Sequence, residues 1–213
     1  MTQLLALHPE TPQPRVLERA AHVLHEGGLV AFPTDCCWAL ACRVGDVDAL
    51  TRLRQIREMN DRHHLTLMCR DLSQIAQYAR VDNRQYRLLK ATTPGSYVFI
   101  LEGTHDLPRK VLHPKRKTIG LRVPDNKLAL ALLAAFEAPL LSATLLLPGQ
   151  DEPLGEGWEV ADALEGRIDL VLDDGSHCGA TPSTVIDLTG DAPELLRQGK
   201  GDIAPFGFDP SFH

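Results

Sequence analysis

Residues 29–42 read LVAFPTDCCWALAC and follow Gly27-Gly28, a pair that stops a helix. Leu29–Phe32 has the apolar character of a buried strand, and Pro33 ends it, because proline withholds a backbone donor and disfavours helix before it. Thr34-Asp35-Cys36 then makes a short polar crossing before a second apolar strand running to Cys42. A hydroxyl, a carboxylate and a thiol are thus presented together between two core strands. That is poor core material and reasonable material for a small-molecule site.

Outward from this pair, strands and helices alternate. Residues 14–27 read as a helix with Val16, Ala20 and Leu24 on one face and Gly27 as its stop. Asp46 can cap a helix reaching about Met59, with an apolar face at Val47, Leu50, Leu53 and Ile56. Further strands are expected at 65–70, 97–101, 118–123, 139–144, 169–172, 184–188 and 194–197. Helices are expected near 72–79, 82–91, 126–136 and 158–166. Residues 148–157, PGQDEPLGEG, read as a flexible loop. The pattern is that of an α/β layered fold, and the short connection within 29–42 favours a mixed sheet over a wholly parallel one.

The chain has 213 residues, 44% of them hydrophobic, enough for one substantial core. The expected organisation is an N-terminal extension over 1–13, one domain over 14–206 and a tail over 207–213. No run approaches the roughly 18 apolar residues of a membrane span, and MTQLLALHPE lacks a basic signal-peptide start, so a cytoplasmic protein is expected. Five cysteines, an odd number with none in a CxxC pair, argue against a disulfide framework and against a structural zinc site. Vicinal Cys36-Cys37 admits a redox or metal feature, but buried thiols usually act as small hydrophobes, and that plainer reading is preferred.

Net charge is −6, which does not suit a general nucleic-acid binder. Its distribution is more telling. Residues 109–122 hold six Lys/Arg and no acid; residues 52–62 hold four Arg and two acids. Together they carry +8, leaving −14 for the remainder, a pattern that favours a local anion site. Five segments place polar or cationic residues at element ends: Thr34-Asp35-Cys36; Arg57 with Arg62-His63-His64; Lys115-Arg116-Lys117 with Arg122; Leu141–Thr144; and Pro182-Ser183-Thr184 with Arg197. Ligands of open α/β sheets bind at strand ends, and arginine forks match phosphate geometry. Taken singly, each has a plain alternative. Arg54 and Arg57 suit a solvated helix, Lys115–Lys117 an exposed loop, Ser142 and Thr144 strand packing, and Ser183 a turn. Arg122 is different, because it lies inside an apolar strand and a charge there requires a partner. His63-His64 lacks a spaced third ligand, so no metal site is expected. Walker, GxGxxG, GxSxG and HExxH motifs do not occur.

The ordered set FPTDCCWAL, Arg57, TPGSYVFIL, IGLRVP, LLSAT, STVIDL and LLRQGKGDIAPF resembles the YrdC/Sua5/YciO family over about residues 14–206. LTLMCRDL, KRKTIGLRVP, LLLPG and GDIAPF resemble its YciO branch most. The resemblance implies a twisted mixed sheet flanked by helices, with a concave, positively charged cleft. It implies chemistry in which threonine, bicarbonate and ATP, as its Mg²⁺ complex, give threonylcarbamoyl-adenylate and pyrophosphate, linked to tRNA t6A modification. No protein nucleophile and no tightly bound cofactor are implied. Arg57 would meet phosphate, Arg122 an amino-acid carboxylate, Ser142 and Arg197 the nucleotide, and Ser183 the amino acid or phosphate. Thr34, Cys36 and Trp38 would form the amino-acid wall, with His63, Met68, Lys117 and Thr144 completing the cleft. The family's PT[DE]TVYGL becomes PTDCCWAL here, KxRP becomes Arg57-Glu58-Met59-Asn60, and SAN becomes Ser142-Ala143-Thr144; Met68 stands where many synthases have histidine. Each lost charged contact costs about 1.5–3 kcal/mol, so weak synthase-like activity or another acyl acceptor is expected. Two rival readings follow from the same resemblance: a double-stranded RNA or tRNA binder without synthase activity, and carbamoyl transfer through a carbamoyl-adenylate.

Overall fold

The computed structural model describes residues 1–59, 65–113 and 115–209. Strand β1 (Gln3–Ala6) precedes helix α1 (Pro14–His25), which buries Leu17, Ala20, Ala21 and Leu24. Gly27 follows it in the left-handed conformation, φ 80°. Strands β2 (Val30–Phe32) and β3 (Ala39–Arg43) pair antiparallel, with Phe32 opposite Ala39, and Pro33–Trp38 is the crossing between them. Helix α2 (Val47–Arg57) starts as expected at Asp46, whose carboxylate accepts from Ala49 N at 2.9 Å. Its buried face is Ala49, Leu50, Leu53 and Ile56, whereas Val47 is exposed. At 3.6 residues per turn, Val47 lies roughly 130° from the centre of that face.

The chain continues through β4 (Thr66–Met68), α3 (Leu72–Tyr78), α4 (Asn83–Thr92), β5 (Tyr97–Glu102), β6 (Thr118–Arg122) and α5 (Lys127–Phe136). It ends with β7 (Leu140–Thr144), α6 (Gly157–Ala163), β8 (Leu170–Asp173), β9 (Thr184–Asp187) and β10 (Glu194–Arg197). Among the described residues the strands form one open mixed sheet in the order β1-β8-β2-β3-β7-β4-β6-β5-β9-β10. The pairs β1–β8, β2–β8, β4–β6 and β5–β9 are parallel and the others antiparallel. The sequence reading placed no strand before Pro14, yet β1 joins the sheet edge beside β8. Its four residues are too few to show alternation, and three of them are exposed.

The two faces of the sheet are covered unequally. Leu67, Phe99, Leu101, Leu121 and Leu141 point to the face where α2, α3, α4 and α6 pack, in one apolar cluster with Leu53, Ile75, Leu89 and Val160. On the opposite face α1 and α5 pack against Val30, Phe32, Ala41, Leu140 and Leu170. Those two helices cover only the half of the sheet nearer β1. The uncovered remainder of that face is where a ligand can sit. Among the described residues, no helix is long and apolar enough to cross a membrane.

Candidate functional site

Side chains two apart on a strand share a face. On the uncovered face this rule brings together Thr66 and Met68 of β4, Val98 and Ile100 of β5, Gly120 and Arg122 of β6, and Ser142 and Thr144 of β7. Register aligns them in rows: Thr66 lies beside both Ser142 and Gly120, and Met68 beside Arg122. Except for Gly120, whose side chain is a hydrogen, all of these line a cleft of about 380 Å³, within the usual range for small-molecule sites. Gly120 keeps the floor open, since a Cβ there would stand 2.8 Å from Val98 Cγ1.

Three arginines from three elements reach this cleft, and no carboxylate lines it among the described residues. Arg57 ends α2, where Glu58 turns left-handed (φ 47°) and Met59 N bonds back to Arg54 O at 3.0 Å. Arg57, the last residue before this closure, lines the cleft. Its Nε is buried without a hydrogen-bond partner among the described residues. Burial lowers the Arg57 and Arg197 pKa values, yet a guanidinium starts so high that both stay charged. Arg197, in β10, donates from Nε and Nη2 to Ser183 O at 3.1 and 2.8 Å, tying the β10 edge to the segment entering β9. Gly199 permits that approach: a Cβ on it would lie 2.2 Å from Pro182 O.

Arg122 is 6% exposed and has the partner its burial demands. Its Nη2 donates to Asp35 Oδ1 at 2.5 Å, and Asp35 also accepts from Ser96 Oγ at 2.5 Å and Asp125 N at 3.2 Å. Lys200 Nζ donates to the Asp35 carbonyl. Arg122 Nε, like that of Arg57, is buried and unpartnered. The aspartate of the polar crossing therefore anchors the arginine instead of facing the ligand. The sequence reading required a partner for Arg122 and did not identify Asp35.

Cys36, Cys37 and Trp38 form the opposite wall. Thr34, behind it, does not line the cleft; its hydroxyl donates to Cys37 O at 2.6 Å and accepts from Cys36 N and Cys37 N at 3.3 Å. Trp38 is fully buried and donates from Nε1 to Gly155 O at 3.1 Å, which holds the end of the 148–157 loop against the wall. Ser183 closes one side, its hydroxyl 3.4 Å from Cys36 Sγ. Ser142 donates to Thr66 O at 3.2 Å and leaves its oxygen as an acceptor.

Of the expected set, Cys36, Trp38, Arg57, Met68, Arg122, Ser142, Thr144, Ser183 and Arg197 share this one cleft. Lys117 does not belong to it. It is exposed in a left-handed turn (φ 54°) before β6, roughly 16 Å along the strand from Arg122. The basic run 109–122 is divided in the same way: Arg109 and Lys110 line a separate hollow, Arg116 lies 3.9 Å from Asp187, and only Arg122 enters the cleft. His63 lies outside the described residues. Thr66, Val98, Ile100 and Val185 also line the floor and were not anticipated. For Thr66 the signal is its period-two spacing from Met68 on β4; Val98, Ile100 and Val185 lie on other strands and had none.

A family model covering Sua5, YciO and YrdC proteins, described as "Telomere recombination", matches residues 22–199. YciO of Escherichia coli K12 is 46% identical over 97% of this chain and 100% of its own length, and its crystal structure superposes with a TM-score of 0.93. The Sua5 protein of Pyrococcus abyssi, solved in complex with L-threonine, is 26% identical with a TM-score of 0.84, over 92% of this chain and 57% of the other. Threonylcarbamoyl-AMP synthase of Bacillus subtilis is 29% identical over 89% of this chain and 54% of its own length.

Proposed function

Because the chain belongs to the Sua5/YciO/YrdC family, we propose that its cleft binds ATP as the Mg²⁺ complex and forms an adenylate of the threonylcarbamoyl-AMP type. The observation that carries this reading is the convergence of Arg57, Arg122 and Arg197 on one carboxylate-free cleft. A polyphosphate suits such a place, because three fixed guanidinium groups offset its charge. The Mg²⁺ would arrive with the phosphates, since the described lining offers it no carboxylate. It belongs to the substrate.

In this reading a carboxylated amine attacks the α-phosphate and pyrophosphate leaves. The protein contributes position and charge rather than a nucleophile. The guanidinium groups of Arg57, Arg122 and Arg197 line the cleft and are the donors that would stabilise the charge that develops. Ser142 and Thr144 would meet the nucleotide, and Ser183 the acceptor or a phosphate oxygen. The threonine bound to the Pyrococcus abyssi protein makes an amino acid the first acceptor to test. Cys36 and Trp38 stand on the wall where that amino acid would lie, so a different side chain or a weaker affinity for threonine is expected.

A duplex-RNA surface has less support, since of the basic run 109–122 only Arg122 lines the cleft. The experiment is a coupled assay of pyrophosphate release from ATP, Mg²⁺ and bicarbonate with each amino acid in turn. Mass detection of the adenylate accompanies it. Pyrophosphate release that depends on both bicarbonate and an amino acid is expected; none with any amino acid would overturn the synthase reading.

A further inference from the structure

Of the five cysteines, Cys36 and Cys37 line the cleft, and Cys36 also meets the Ser183 hydroxyl. Burial pushes Cys42 up to about 12 and Cys178 up to about 11, and it raises Cys69 as well. Those are inert thiols. Cys36 is 3% exposed, yet it lines the cleft beside Arg122 and Ser183. The adjacent Cys37 thiol, the Arg122 charge and the Ser183 hydroxyl lower its pKa against the opposing effect of burial, while the Cys37 thiol is raised.

Proton accounting assigns the hydroxyls. Thr34 Oγ1 lies 3.6 Å from Cys36 Sγ, but its one proton goes to Cys37 O at 2.6 Å, so it donates nothing to sulfur. Ser183 Oγ, at 3.4 Å, makes no other hydrogen bond among the described residues and can donate to the sulfur. A second group lines the same cleft: Arg122, more than nine-tenths buried, whose Nε has no partner among the described residues. A thiol whose pKa is lowered, beside a serine hydroxyl and in one cleft with a buried guanidinium, suits an electrophile that carries negative charge.

We propose that Cys36 Sγ is an acyl acceptor, taking the carbonyl carbon of a carboxylic–phosphoric mixed anhydride of the acyl- or carbamoyl-adenylate class. The identity of that substrate rests on the adenylate-forming reading above; the geometry of the thiol does not. The sulfur lone pair bonds to the carbonyl carbon, the bond from that carbon to the phosphate oxygen breaks, and its electron pair leaves with AMP. The thiolate enters without a proton, so none has to be removed. The products are a thioester (a thiocarbamate when the group is carbamoyl) and AMP. Ser183 releases its bond to sulfur as the new bond forms and can then donate to the carbonyl oxygen. The adenylate made in the cleft would thereby be stored on the protein, for later transfer to an amine or hydroxyl.

The test uses the full chain and synthetic acetyl adenylate, with mass mapping of every cysteine and neutral hydroxylamine to release thioesters. Binding of ATP is measured separately by calorimetry. One hydroxylamine-labile acetyl group on Cys36, suppressed by excess ATP, is the expected result. Cys36→Ser should lose it completely, and Cys178→Ala, outside the cleft lining, should keep it. Mapping the unsubstituted chain removes any dependence on whether a variant folds. Acetyl groups spread over several thiols, placed on Cys37, or absent from Cys36 would overturn the proposal. If ATP binds and Cys36 stays unmodified, the acceptor role fails and the adenylate reading survives. Acetylation of Cys36 without ATP binding would have the reverse meaning.

Discussion

Replacing Asp35 by asparagine keeps the shape of the side chain and removes the charge that faces Arg122. The two side chains are 7% and 10% exposed, so little water is available to compensate the stranded guanidinium. Breaking a buried ion pair from one side costs about 3–5 kcal/mol. The asparagine oxygen can still accept from Arg122 and Asp125 N, which favours the lower figure, about 3 kcal/mol. For a domain of this size each kcal/mol moves Tm by roughly 2–4 °C, so Asp35→Asn should lower Tm by roughly 6–12 °C in a calorimetric scan. A second variant separates charge from packing. Asp35→Asn with Arg122→Met removes both charges from the same buried place and should recover most of the loss. Urea titration of all four proteins closes the cycle. If Asp35→Asn lies within about 0.5 kcal/mol of the parent, or the double variant is no better than the single one, the pairing does not hold Arg122 in place.

Three further outcomes follow from the site. Alkylation of Cys36 by iodoacetamide should stay nearly constant from about pH 8 to about pH 6, whereas an ordinary thiol slows roughly tenfold per unit; a tenfold fall per unit at Cys36 would show it is a thiol. Because its pKa is lowered on folding, that thiolate adds stability above the ordinary thiol value of roughly 8.5. The contribution fades as pH falls through the lowered value, so the parent should gain on Cys36→Ser as pH rises toward that point in urea titrations. Above the same point the Cys36 contribution is constant and the raised pKa of Cys37 opposes it, so the gain should shrink there. Gly199→Ala pushes a methyl into Pro182 O and Ser183 C, backbone atoms that cannot swing aside; a loss of about 1–3 kcal/mol is expected, and unchanged stability would mean the β10 turn is looser than it stands.

Much of this architecture was legible in the sequence, and the reasons differ by element. Asp46, Gly27 and the apolar runs of β5 and β6 marked their boundaries because local chemistry decides them: a carboxylate cap, a left-handed stop and buried strands. β1 was not legible, since four mostly exposed residues at a sheet edge leave no alternation to read. The cleft was half legible. Arg57, Arg122, Ser142, Ser183 and Arg197 came from motif order, and the structure gathers them in one place. The apolar floor of Val98, Ile100 and Val185 was hidden, because its role depends on which sheet face the helices leave bare. Lys117 misled because it is close to Arg122 in sequence but at the far end of a five-residue strand. Asp35 lay in plain view beside Pro33, yet its partner is 87 residues away, a distance that no local pattern spans.

Calorimetric titration with ATP and Mg²⁺ tests the proposed nucleotide binding most directly, run on the parent chain and on Arg57→Ala with Arg197→Ala. One equivalent should bind the parent, and each lost charged contact should cost about 1.5–3 kcal/mol, one to two decades of affinity. No heat with the parent at millimolar nucleotide, or equal affinity with both arginines gone, would contradict the account.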